Sequence, residues 1–217
     1  MEYPLTPLFR QLDPAPIEGD DPRYVDWQHE FGADDVKTRL ISSIWNAPSQ
    51  TGSIRLLAGP AGAGKSSELR RVRQRLTDRS EGRQAFVSFL ESKWLDLDDI
   101  TATDVSFNMV RQLVDDLRKK ANIDLRTDPF TKLGERAKQI SLNIGVFGVG
   151  LSTALREQPA KRKQLRELLD SELPTIWDEV NELIDSTRSQ FIENGIERIV
   201  IMVDDLDKVR PREIREG

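Results

Sequence analysis

Apolar positions recur at two periods along this chain, and the change from one to the other marks out its elements. In "GADDVKTRLISSIWNAPS", Val36, Leu40, Ile41 and Ile44 fall at helical spacing. Asp34 or Asp35 is placed to cap that helix, and Pro48 lies beyond its end. Gly52 and Ser53 turn into residues 54–58, "IRLLA", a short apolar run that predicts a buried strand. A glycine-rich turn follows, then a helix over 65–77. Residues 85–90 predict the second strand. Asp104 is placed to cap a helix over 105–120, with Met109, Val110, Leu113, Val114 and Leu117 on one side. Ile140, Leu142, Ile144 and Val146 alternate with small or polar residues, predicting a strand or a glycine-turned hairpin with Val149 and Leu151. Helical periodicity returns over 160–193, with a break predicted at Ser171 and Pro174. The third strand is 199–203, "IVIMV", which runs straight into "DDLD".

This pattern gives three regions: an irregular, proline-rich arm over 1–33, an α/β core over 34–217, and a helical or hairpin insertion within it at about 122–195. No internal repeat is found.

Composition narrows the chemistry. The 217 residues are 32% charged and 37% hydrophobic, enough apolar content for a packed core. Net charge is −5, so no global basic field gathers nucleic acid. The arginines of "ELRRVRQRLTDR" read as a solvated helix face. With no cysteine, disulfides, thiolate catalysis and cysteine-ligated zinc are excluded. A single histidine, His29, cannot form a histidine metal cluster or a serine–histidine triad by itself. Residues 1–13 hold no apolar signal-type segment, and no apolar run approaches the length of a membrane helix. A cytoplasmic location and no membrane span are the expectations.

The turn itself is the strongest motif. Gly59-Pro60-Ala61-Gly62-Ala63-Gly64-Lys65-Ser66 matches GxxxxGK[ST], the Walker A pattern, between a predicted strand and a predicted helix. Its glycines allow left-handed backbone and close approach of a ligand. Successive N–H groups then form an anion nest, reinforced by the positive end of the helix. Lys65 is expected to reach the β- and γ-phosphates, Ser66 to ligate Mg²⁺, and Ser67 to contact the α-phosphate. "IVIMVDD" has Walker B form. Val203 is expected to be the last buried residue, with Asp204 at the strand's carboxyl end to support Mg²⁺. Asp205 stands where a water-orienting acid is wanted, one methylene shorter than the usual glutamate. Asp207 is a second candidate.

These residues resemble the additional-strand division of P-loop NTPases. Within it they are most similar to bacterial AAA-like and STAND-like ATPases, including the KAP group, which often carries "DDLD" after its Walker B strand. "RYVDW" (23–27) and "WLDLDDITATDV" (94–105) share the likeness. The resemblance implies a three-layer α/β/α P-loop NTPase fold with a parallel sheet of order 5-1-4-3-2. It also implies an ATP- and Mg²⁺-dependent switch that is joined to other domains, self-associates, and serves signalling or antiviral defence. The segment before the first helix would line the adenine pocket, which nominates Tyr24 and Val25; core packing of Tyr24 is the competing reading.

Three core strands are found here, and in the implied order one strand lies between the Walker A and Walker B strands yet follows both in sequence. The expectation is therefore an N-terminal piece of a longer ATPase, with its C-terminal strands missing. A partner's strand, or residues 140–151, would be the other ways to fill that place. No sensor strand, arginine finger or C-terminal lid is identified. ATP is favoured over GTP because no NKxD motif is present. Two other functions remain open: a DNA-acting AAA ATPase of loader or translocase type, with nucleic acid the less favoured partner, and a nucleotide-independent interaction scaffold.

Overall fold

The computed structural model describes residues 16–18, 21–22, 35–48, 52–78, 82–91, 99–120, 159–186 and 188–208. Tyr24, Val25 and the hairpin expected over 140–151 lie outside these residues. The described elements, in order, are α1 (Val36–Trp45), α2 (Lys65–Thr77), β1 (Gln84–Leu90), α3 (Ala102–Lys120), α4 (Pro159–Ser186), α5 (Arg188–Glu193), β2 (Ile196–Val203) and a 3₁₀ turn (Leu206–Lys208). They fall into two compact units, Met1–Arg83 and Gln84–Gly217.

In the first unit α1 and α2 pack against each other. Asp35 caps α1, its Oδ1 accepting the Thr38 N–H at 3.2 Å. On α2, Val72 and Leu76 are buried one turn apart and supply the apolar contact. The Arg83 guanidinium lies 4.5 Å from the centre of the Trp45 ring, a cation–π contact at the end of α1.

Residues 52–60 carry no strand, contrary to the prediction for 54–58. Ile54 is 94% exposed and Leu56 87% exposed. Apolar composition favours a strand, but only backbone pairing makes one. Among the described residues the only ladder joins β1 to β2. Arg55 holds the run to α1 instead. Its Nε donates to Ser43 Oγ at 3.1 Å and its Nη2 to the Ser43 carbonyl at 3.3 Å.

The second unit holds the core. β1 and β2 are parallel neighbours in register from Ala85↔Arg198 to Leu90↔Val203, as the implied order has its second and third strands. Ala85 to Leu90 are all buried, the pattern of a strand covered on both faces. Phe86, Phe107, Val110, Leu113, Leu165, Leu169, Val180 and Phe191 join one cluster between the sheet and helices α3, α4 and α5. Phe86 and Phe191 meet at a tilt of 57° between their rings, with ring centres 6.1 Å apart.

Two helices differ from the pattern-based reading. α3 begins at Ala102, three residues before the expected start, because Thr101 and Asp104 form a reciprocal capping box. Asp104 Oδ2 accepts the Thr101 N–H at 2.9 Å, and Thr101 Oγ1 accepts the Asp104 N–H at 3.3 Å. Arg166 of α4 then pairs with Asp104, and with Asp99 at 3.2 Å.

α4 does not break at Ser171 and Pro174; it runs unbroken from Pro159 to Ser186 with Pro174 inside. The buried residues Leu165, Leu169, Ile176, Val180 and Leu183 form one helical stripe across the proline. Their packing outweighs the roughly 3 kcal/mol that an internal proline costs.

Two polar contacts involve α3, a buried one to β1 and a half-buried one within the helix. Ser88 of β1 donates to Asp116 at 2.8 Å, and Arg111 pairs with Asp115 at 3.1 Å. Burial lowers the pKa of Arg111 from its usual value, and the charges of Asp115 and Asp116 oppose that shift.

Candidate nucleotide site

The Walker A loop spans residues 59–66 and leads directly into α2. Gly62 and Gly64 have φ of 78° and 77°, the left-handed region. A Cβ built on either meets nothing within 4 Å, so each glycine is there for its backbone angle, and the space beside it is open. The Ala63 N–H donates to the Pro60 carbonyl at 3.2 Å, closing the turn. Gly64 is the N-cap of α2 and offers no side-chain cap, so the helix presents its first-turn N–H groups beside the loop. Lys65 folds over the turn, its Nζ donating to the carbonyls of Gly59 at 3.0 Å and Pro60 at 2.9 Å. That puts a full positive charge at the loop that the helix dipole already makes electropositive.

Ser67, expected at an α-phosphate, has a further contact. Its Oγ accepts the N–H of Ile17 at 3.3 Å. Arg70, one turn on, donates to the Pro16 carbonyl at 2.7 Å and to Glu18 at 2.9 Å. Part of the N-terminal arm is thus fastened to α2 next to the loop. This link was not read from the sequence, since it joins positions some fifty residues apart.

In the other unit, β2 ends at Val203 and the acidic pair follows. Asp204 is itself buried, at 7% exposure, more deeply than Val203, which was expected to be the last covered residue. The reason is its place in the sheet's last rung. Its N–H donates to the Leu90 carbonyl at 3.1 Å, extending the ladder one residue past the strand. Asp204 Oδ1 accepts the Asp205 N–H at 2.8 Å. Asp205 takes a left-handed backbone, φ 65°, and the chain turns there into the 3₁₀ turn. Its carboxylate meets Lys208 Nζ at 2.5 Å. Lys208 was missed in the sequence, though its i,i+3 spacing after Asp205 in "DDLDK" was a usable signal. The Asp207 side chain lies outside what is described.

The donor chemistry suits Mg²⁺. Ser66 in the first unit and Asp204 in the second each carry a hard oxygen donor of the kind Mg²⁺ takes, and the space beside Gly62 and Gly64 is open. Among the described residues no three histidine or acidic side chains are grouped to cage a metal. Mg²⁺ carried by nucleotide phosphates needs one or two protein oxygens and keeps its waters.

A family model, the KAP family P-loop domain, matches residues 34–216. The chain belongs to this family. No curated protein and no solved structure matches it. As a KAP P-loop domain it has an α/β fold of the nucleotide-binding P-loop type, and its helices and parallel strand pair agree with that. Among the described residues no helix is long and apolar enough to cross a membrane.

Proposed function

We propose that this KAP domain binds ATP with Mg²⁺ and works as a molecular switch with slow hydrolysis, in a cytoplasmic ATPase of signalling or defence type. The observation that carries the reading is the loop: left-handed Gly62 and Gly64, an uncapped helix start, and Lys65 folded across the turn. Such a loop concentrates N–H dipoles and one ammonium on a single point, and a polyphosphate is the ligand that answers all of them. Lys65 exchanges its two carbonyl partners for phosphate oxygens. Ser66 and Asp204 would hold Mg²⁺, which supplies charge neutralisation at the phosphates when bound. Asp205 orients the attacking water and Asp207 is the alternative acid. Tyr24 and Val25, in the arm over 1–33, serve the base. The insertion at about 122–195 and self-association provide contacts to partner domains.

The test is equilibrium titration with a fluorescent ATP analogue and Mg²⁺. Lys65→Ala should weaken binding by about ten- to a hundredfold, the worth of a charge-assisted hydrogen bond to phosphate. Unchanged affinity would remove the reading.

A further inference from the structure

We infer that residues 16–18 are a strap on the first turns of α2, and that its docking is linked to bound nucleotide through Ser67. The inference rests on the reading of the Walker A loop as an ATP site with Ser67 at the α-phosphate.

Three consecutive arm residues are held, each through a different group. The Ile17 N–H donates to Ser67 Oγ at 3.3 Å. The Pro16 carbonyl accepts from Arg70 at 2.7 Å, and the Glu18 carboxylate accepts from the same Arg70 nitrogen at 2.9 Å. Ser67 and Arg70 are three residues apart on α2, so they are neighbours on the helix surface and meet the arm together. The clasp is weak. Glu18 is 70% exposed, and the Ile17 bond is long for a hydrogen bond. A contact of that strength responds to a change at a single partner.

Ser67 is the partner that can change. A serine hydroxyl has one hydrogen to give and two lone pairs to receive. In Ser43, Thr77, Ser171 and Ser186 the hydrogen goes to a carbonyl three or four residues back in the helix. Ser67 differs. Its hydroxyl accepts from Ile17 and, among the described residues, gives its hydrogen to no protein group. A hydroxyl that donates to an anionic phosphate oxygen becomes a better acceptor on its other side. Phosphate at Ser67 therefore tightens the Ile17 bond, and by reciprocity a docked strap tightens the nucleotide. Arg70 takes no part in that relay; it keeps the strap within reach of it.

The experiment follows amide hydrogen exchange at Ile17 by NMR in the whole chain, with and without saturating ATP and Mg²⁺, beside equilibrium titration of the same nucleotide. In the unsubstituted protein ATP should slow that exchange about fivefold, the lower end of what coupled sites show. Ser67→Ala should still bind ATP through Lys65 and the loop, and its Ile17 exchange should no longer respond. Arg70→Met should speed Ile17 exchange and weaken ATP binding about fivefold, and Arg70→Lys, which keeps a donor, should recover part of both. ATP binding that leaves Ile17 exchange unchanged overturns the proposal and leaves the ATP reading standing. So does an equal response in Ser67→Ala, or an Arg70→Met protein that binds ATP as tightly as the unsubstituted one. No ATP binding by the unsubstituted protein removes the ATP reading and the proposal with it.

Discussion

Gly64 and Gly59 stand in the same loop and do different work. Gly64 is left-handed and its surroundings are open, so an added methyl meets only the backbone penalty. Gly64→Ala should therefore cost about 1–2 kcal/mol in urea unfolding. At Gly59 an added Cβ would meet Ala63 and Lys65 at 3.8 Å, ordinary contact, so Gly59→Ala should cost under about 0.5 kcal/mol. Equal costs at the two positions would mean that the loop re-forms around the substitution. Both glycines were legible as loop residues in the sequence, but which of them needs the left-handed angle was not. The motif gives spacing, and the sign of φ is settled by how the turn closes on Pro60. Asp205 makes the same point from the other side. Its acidic chemistry was plain, whereas a left-handed aspartate next to a buried one carries no mark in composition.

At the scale of elements, the helices that start on strong local chemistry were read well. α2 runs over the predicted 65–77, because the glycine turn ends abruptly where the helical stripe begins. α3 starts three residues ahead of the expected position because Asp104 is the inner partner of Thr101 and not the cap itself. β2 begins at Ile196, three residues before the apolar run, since Glu197 and Arg198 hide the strand's first residues from an apolar count. The unbroken α4 and the unpaired 54–58 run share a cause: both depend on neighbours distant in sequence. Pro174 is exposed and the stripe around it is buried, so the proline gives up a backbone hydrogen bond without adding to the core. Pro174→Ala should accordingly raise unfolding stability by about 1–2 kcal/mol, the helix gain being partly offset by a freer unfolded chain. A loss of stability in chemical denaturation would show that the proline's restriction of the unfolded chain outweighs the helix gain.

For the molecule as a whole, the main apolar cluster and the Walker A loop fall in different units: the cluster, from Phe86 to Phe191, in the second and the loop in the first. A ligand that binds the folded state alone stabilises it by mass action, so ATP with Mg²⁺ at a hundred times its dissociation constant should add about 2.7 kcal/mol. A thermal melt should show that shift, and Lys65→Ala should cut it to about 0.4–1.4 kcal/mol; no shift in the unsubstituted protein would mean that ATP is not bound and would favour a nucleotide-independent scaffold. The exposed pair Ile54 and Leu56 has a practical consequence of another kind. Two exposed apolar side chains two residues apart are a contact on which a second copy can dock, and that encounter scales with the square of concentration. Shelf life in the test tube will thus be set by how many milligrams share a millilitre before it is set by heat, and dilute handling is the condition under which the phosphate chemistry should be measured.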